Sequence, residues 1–248
     1  MSTTTTPAAA PSLSASICAI VDLLLGGENT GALAVTGKTA SGVDPGLTTH
    51  VRAEQHRSGS GFMPESLLTA LEDRMWSLHL GAAVRPSLNS LELARISVLP
   101  VTWPLEQHHH HSRWQINTAQ LAEARSRIEA FGVAPAAVVF GAWPVAGLAF
   151  RLVGLYALAT PIRRESEALN LLRELSAALG AAVPAEDANL LDLTIPVPGS
   201  VCRVGPGLDR VQVLALDANQ RHTHADIAAA IAASTKAPAR RRQETHAS

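Results

Sequence analysis

Two apolar runs separated by three residues, AAVVFGAW (136–143) and GLAFRLVGLYAL (147–158), constrain this chain more than any other feature. Neither approaches the ~20 uninterrupted apolar residues needed to span a bilayer. Their β-branched and aromatic content, broken by a Pro-containing link, predicts a hairpin. The segment 163–180, RRESEALNLLRELSAALG, follows almost at once. Its Leu169, Leu172, Leu175, Ala178 and Leu179 fall on one helical stripe. An apolar hairpin followed by an amphipathic helix implies a sheet covered by helices, and the other segments agree. Residues 13–25 have helical spacing and stop at Gly26-Gly27. Residues 31–37, 47–53, 76–84 and 211–216 read as strands. Residues 117–131 form a second amphipathic helix closed by Gly132, and a short helix is expected from Pro64 to Asp73. A last helix enters at THAD, where Thr223 and Asp226 make a capping box. The expected class is α/β (α+β), a mixed sheet with flanking helices.

The 248 residues are 47% apolar with a net charge of −1, enough for a large core and too neutral for a protein that coats nucleic acid generally. With only Cys18 and Cys202, a disulfide framework is not expected, and a reducing compartment is the simpler reading. The first residues lack the basic and apolar regions of a signal peptide. These features predict a cytoplasmic protein with no membrane partner. High alanine and low aromatic content suggest a high-GC genome. Residues 1–12 and the basic 236–248 read as disordered tails around a domain at 13–235.

The stretch VTWPLEQHHHHSRW (101–114) raises the first chemical question. The extended segment that leads into it, ISVLPVTWPLE (96–106), carries two prolines, Pro100 and Pro104, which must lie at an edge, a bulge or the strand's end. Glu106 is followed by His108, His109, His110 and His111. Imidazoles suit Zn²⁺, Ni²⁺ or Cu²⁺, but successive residues of a strand alternate faces and cannot all meet one ion. Two of them, His109 and His111, could join Glu106 as ligands. The plainer reading is a polar connection into helix 117–131. His50, His56 and His79 are expected to decorate strands singly.

Five segments, in order, carry a resemblance. They are ICAIVDLLLGGENTGALAV, MWSLHLGAAVRPS, LELARISVLPVTWPLE, PAAVVFGAWPVAGLAFRL and LDLTIPVPGSVCRV. Together they resemble the bifunctional primase-polymerase domain of the archaeo-eukaryotic primase superfamily, common in plasmids and phages of actinobacteria. The likeness spans roughly residues 15–235 and rests on element order and spacing. It implies nucleotidyl transfer by two divalent ions, Mg²⁺ or Mn²⁺, held by carboxylates. The family's Asp-x-Asp pair falls on Pro104-Leu105-Glu106, which leaves Glu106 as the residual acid and metal ligand. The family histidine falls on Ala149. The Arg-x-Pro-Gly-Thr-x-Asn motif becomes Pro196 to Cys202 and keeps Pro198, Gly199 and the Ser200 hydroxyl.

The frame is present while most of the catalytic set is missing. The expectation is therefore a primase-polymerase-like protein of plasmid or phage replication that is catalytically inactive or altered. Its function would be confined to binding DNA or nucleotides, and replication proteins are its other candidate partners. Arg151, Ser200 and Arg203 are the candidate contacts. Two alternatives stand beside this: a non-catalytic interaction protein reusing the fold, and a His-cluster metal-binding protein.

Overall fold

The computed structural model describes residues 12–39, 48–59, 76–87, 90, 92–110, 113–116, 118–143, 149–204 and 207–236. The chain opens with helix α1 (Leu13–Leu25). The Ser12 hydroxyl caps its start by accepting from the Ala15 N–H, and Gly26 closes it at φ 68°. Glycine is required at 26 twice over, because a Cβ there would also lie 2.1 Å from Ser97 Oγ. Ile17, Ile20, Val21, Leu23, Leu24 and Leu25 are all fully buried, more than one helical stripe can account for. The helix therefore lies deep in the core, against β1 (Ala32–Thr39), β3 (Trp76–Arg85) and β4 (Arg95–Leu105).

Between β1 and β3 come β2 (Thr48–Arg52) and the six-residue helix α2 (Ala53–Ser58). After β4 come a small hairpin, β5 (Gln107–His110) with β6 (Arg113–Ile116), and helix α3 (Thr118–Ala130). The expected hairpin is present as β7 (Ala137–Trp143) and β8 (Ala149–Ile162), the second strand running past the end of its apolar pattern. Helix α4 (Glu165–Ala178) follows, then a 3₁₀ turn at Leu190–Asp192 and β9 (Thr194–Pro196). The chain continues through β10 (Val201–Val204), β11 (Gly207–Arg210), β12 (Gln212–Leu216) and helix α5 (His224–Lys236). The Thr223–Asp226 capping box forms as expected, with the Asp226 N–H donating to the Thr223 hydroxyl and the Thr223 N–H to the Asp226 carboxylate. The helix expected at 64–73 lies outside the described residues.

The main sheet runs β12-β7-β8-β4-β3-β1-β2, with β9 added to β3. Its ladders are antiparallel, and a parallel bridge links Leu158 to His222 at the entry to α5. Cross-strand pairing sorts the centre of the sheet into two faces. Trp103, Leu105, Phe140, Phe150, Leu152 and Tyr156 share one of them. There Phe140 stacks on Phe150 at 5.4 Å, and Phe131, just past α3, meets Tyr156 edge-on. The Trp103 indole donates to the Leu179 carbonyl at the end of α4. Gly154 leaves room for this packing, since a Cβ there would sit 3.2 Å from Trp103.

Strand β4 pairs with β3 only at its start, through Ile96 and Arg95. Beyond that the two strands diverge; β3 takes β9 as its neighbour, and β4 is met at Thr102 by Ala182. Because the Thr102 carbonyl accepts from Ala182, residues 100, 102 and 104 turn their backbone polar groups away from β8. The missing N–H groups of Pro100 and Pro104 therefore remove nothing from the β4–β8 ladder. Both prolines were expected at an edge, a bulge or a strand end; they lie instead in a central strand, on its side away from β8.

At the start of β4, Arg95 is 1% exposed. Its guanidinium donates to the Leu25 carbonyl at 3.0 and 3.2 Å and to the Thr30 carbonyl at 2.7 Å. It also lies 3.2 Å from Glu28, which Arg163 contacts at 2.7 Å. Burial pushes the Arg95 pKa down and Glu28 opposes that. Arg95 thus satisfies the carbonyls of the α1 C-terminus, where the helix dipole favours a cation.

Candidate functional site

The antiparallel register of β4, β8 and β7 assembles the candidate site. Pro104 lies opposite Arg151, and Arg151 lies opposite Gly141 on its other side. This row is on the face opposite Trp103, Phe140 and Phe150. Glu106 follows β4 directly and is exposed; its N–H donates to the Gln120 side chain of α3 at 2.7 Å. Ala149 opens β8 two residues before Arg151. The positions that the family resemblance matches to the acid pair and the histidine therefore come together at the ends of adjacent strands.

A third piece reaches them from 45 residues further along the chain. The segment 196–200 acts as a strap. The Val197 N–H donates to the Leu78 carbonyl of β3, the Gly199 N–H to the Val211 carbonyl, and the Val211 N–H to the Ser200 carbonyl. Val211 in turn packs on Gly141, where a Cβ would come 2.9 Å from its methyl group. Ser200 is buried, and the strap is held further by Arg210, whose guanidinium donates to the Gly199 carbonyl at 3.0 Å. Ser200 and Arg151 are thus linked through two intermediate residues, Val211 and Gly141. Arg203 lies on β10, opposite Leu208 of β11, and only its backbone position is described.

Arg151 is half-buried. Burial pushes its pKa down. Next to Pro104 a cavity of about 320 Å³ opens between β4, α3 and the turn after α4, lined in part by Trp103, Leu105, Gln120, Arg127 and Ala182. Arg127 crosses it, paired with Glu123 and donating to the Gly180 carbonyl at 2.9 Å.

Two residues matter more here than their sequence context suggested. His79 sits on β3, 2% exposed, opposite Pro196, the position matched to the family's arginine. In WSLHLGAAV it falls between Leu78 and Leu80, on the polar set of the alternation, so the local pattern gave no sign that it is buried. Arg210 anchors the strap, and nothing in the local pattern marks it. His56 departs from expectation: it lies on α2, 3.1 Å from Asp22 of α1, and on no strand. The histidine run forms a strand where a loose connection was the plainer reading, with His109 opposite Trp114 and His110 opposite Arg113. His111 lies outside the described residues.

The donor set does not fit a divalent cation of the Mg²⁺ type, which needs several oxygen ligands with anionic charge among them. Glu106 offers one carboxylate. Pro104 and Ala149 offer no ligand, and Arg151 brings positive charge into the same row. Among the described residues, no group of three His, Cys, Asp or Glu side chains converges on a point that could hold a metal ion.

Comparison with solved structures reveals the same fold in a primase. The crystal structure of primase RepB' matches with a TM-score of 0.53 and 11% identity, over 95% of this chain and 67% of that one. The catalytic domain of primase Repb' in complex with initiator DNA matches with a TM-score of 0.51 and 12% identity, over 92% of this chain and 97% of that one. The fold is primase-like. No family model and no curated protein sequence matches the chain. Among the described residues, no helix is long and apolar enough to cross a membrane.

Proposed function

We propose that this primase-like chain is a cytoplasmic protein of plasmid or phage replication that binds DNA or nucleotides and does not catalyse nucleotidyl transfer. One observation carries the reading: Pro104 stands directly opposite Arg151. In-line phosphoryl transfer of this kind depends on paired metal ions held between carboxylates. Here one of the two matched acid positions has no side-chain oxygen, and its cross-strand neighbour is a cation.

What remains suits binding. The strap holds the buried Ser200 near this row, and Arg151 and Arg210 provide guanidinium groups of the kind that hold phosphate by paired hydrogen bonds. The complex of the structurally similar Repb' catalytic domain with initiator DNA supports the ligand class.

The test is primer extension and dinucleotide synthesis with Mg²⁺ or Mn²⁺, run beside Glu106→Ala. No product from the folded protein is expected. Metal-dependent synthesis abolished by Glu106→Ala would overturn the proposal.

A further inference from the structure

Resting on the proposed binding of DNA, we propose that Arg52 and Arg85, at the end of the sheet away from the candidate site, form a second contact for the phosphate backbone of a nucleic-acid strand. The register of three strands makes the pair. Arg52 of β2 lies opposite Ala32 of β1, and Ala32 lies opposite Arg85 of β3. With strands about 4.8 Å apart, the two backbone positions stand roughly 10 Å from each other. A methyl group separates them. That spread matches about three phosphate steps of a strand at ~3.4 Å each, and is too wide for one small anion to fill.

The pair lies on the same side of the sheet as the candidate site. The neighbouring row, Val51, Leu33, Val84 and Arg95, faces α1, so Arg52 and Arg85 face the other way. On β4, Trp103 keeps the parity of Arg95, which turns Pro104 and its partner Arg151 to that other side too. The strand length from Arg95 to Pro104 sets the two places about 30 Å apart. At ~3.4 Å per step, roughly nine nucleotides reach from one to the other.

The local charge suits an anion, although the whole chain carries a net charge of −1. Arg52 is exposed on the last strand of the sheet order. Arg85 is partly buried and steadied by donating to the Ser90 carbonyl at 3.3 Å. Among the described residues, no carboxylate forms an ion pair with either. His50, two residues before Arg52 on the same face, feels their potential: burial, then the charges of Arg85 and Arg52, push its pKa down. Beside Arg52 a cavity of about 340 Å³ opens at the turn before β1, lined in part by Asn29, Thr30 and Ser87. Amide and hydroxyl groups of this kind are common partners of phosphate and sugar oxygens. Glu54 also lines the cavity and is exposed.

The experiment is fluorescence anisotropy on the full chain with a labelled single-stranded DNA of about 20 nucleotides, long enough to touch both places. A fluorescent ATP analogue and a labelled oligo-glutamate peptide are run beside it. The double variant Arg52→Gln, Arg85→Gln is expected to bind the DNA about tenfold more weakly. Its slope of log affinity against log salt should fall by about 1.4, and that of Arg52→Gln alone, a change at an exposed position, by about 0.7. Arg52→Lys with Arg85→Lys should keep the slope, and circular dichroism confirms that each variant is folded. DNA binding and salt slope unchanged in the folded double Gln variant would overturn the inference and leave the proposed function standing. Binding of the ATP analogue without the DNA would do the same. Binding of oligo-glutamate without the DNA, lost in the double Gln variant, would overturn it in favour of an acidic protein partner. Failure of the folded protein to bind either DNA or the ATP analogue would overturn both readings.

Discussion

At the start of β4, Arg95 is sealed from water and its donors meet the carbonyls of Leu25 and Thr30 and the carboxylate of Glu28. At the other end of the same strand, Pro104 faces Arg151 of β8, half-buried between a proline and a glycine. The first arginine completes the structure, and its partners come from the end of α1 and the turn after it. The second has a proline and a glycine as its cross-strand neighbours. A guanidinium sealed among helix-end carbonyls completes the architecture; one only partly withdrawn from water, at the junction of two strand ends, keeps contact with solvent.

The comparison breaks most visibly at Arg95. Replacing it with Met leaves the Leu25 and Thr30 carbonyls without their donor and Glu28 with Arg163 alone, and should lower unfolding free energy by about 3–5 kcal/mol, read by urea denaturation. A loss below about 1 kcal/mol would mean that Arg95 is not an anchor.

Next comes the contact between α1 and α2 at the same end. The hydrogen bond from His56 holds the Asp22 carboxyl below its ordinary pKa, against a smaller opposing effect of burial. A carboxyl with a lowered native pKa adds stability above its unfolded pKa, and this is lost as pH falls through the native one. Asp22→Asn should therefore be less stable than the parent at pH 6, and the two curves should converge below about pH 3. With Asp22 half exposed, the difference should stay under about 1 kcal/mol. A gap that persists at low pH would assign the effect to packing.

The smallest effect is expected at the other end. Arg151→Gln should change stability by no more than about 0.5 kcal/mol, because removing a half-buried charge also removes its desolvation penalty. A thermal melt checks this. A large loss there would erase the distinction between the two arginines.

Much of the fold was legible. Helices α1 and α4 and the β7–β8 hairpin carry strong apolar patterns, and the THAD cap is local chemistry. Helix α2 was missed because six residues are too few to show a stripe. Strands β9 and β10 were missed because three or four residues beside prolines give no alternation to read. Nothing local in the sequence marks Arg95, since no pattern tells a sealed guanidinium from a solvated one. At the site, Glu106, Arg151 and Ser200 could be named from the resemblance. That Pro104 meets Arg151 follows from the register of two strands some 45 residues apart in the chain. That Val211 ties Gly141 to the strap depends on contacts no spacing encodes.

The prolines of β4 have a consequence beyond their tolerance in a ladder. Where β3 leaves β4, an ordinary strand would offer a row of N–H donors, which invites another chain to zip on and templates aggregation. Pro100 and Pro104 delete two of those donors on either side of the bridge at Thr102. A second copy of the protein meets a gap-toothed border it cannot copy, so the margin beside Arg151 is protected from self-assembly by the groups its backbone lacks.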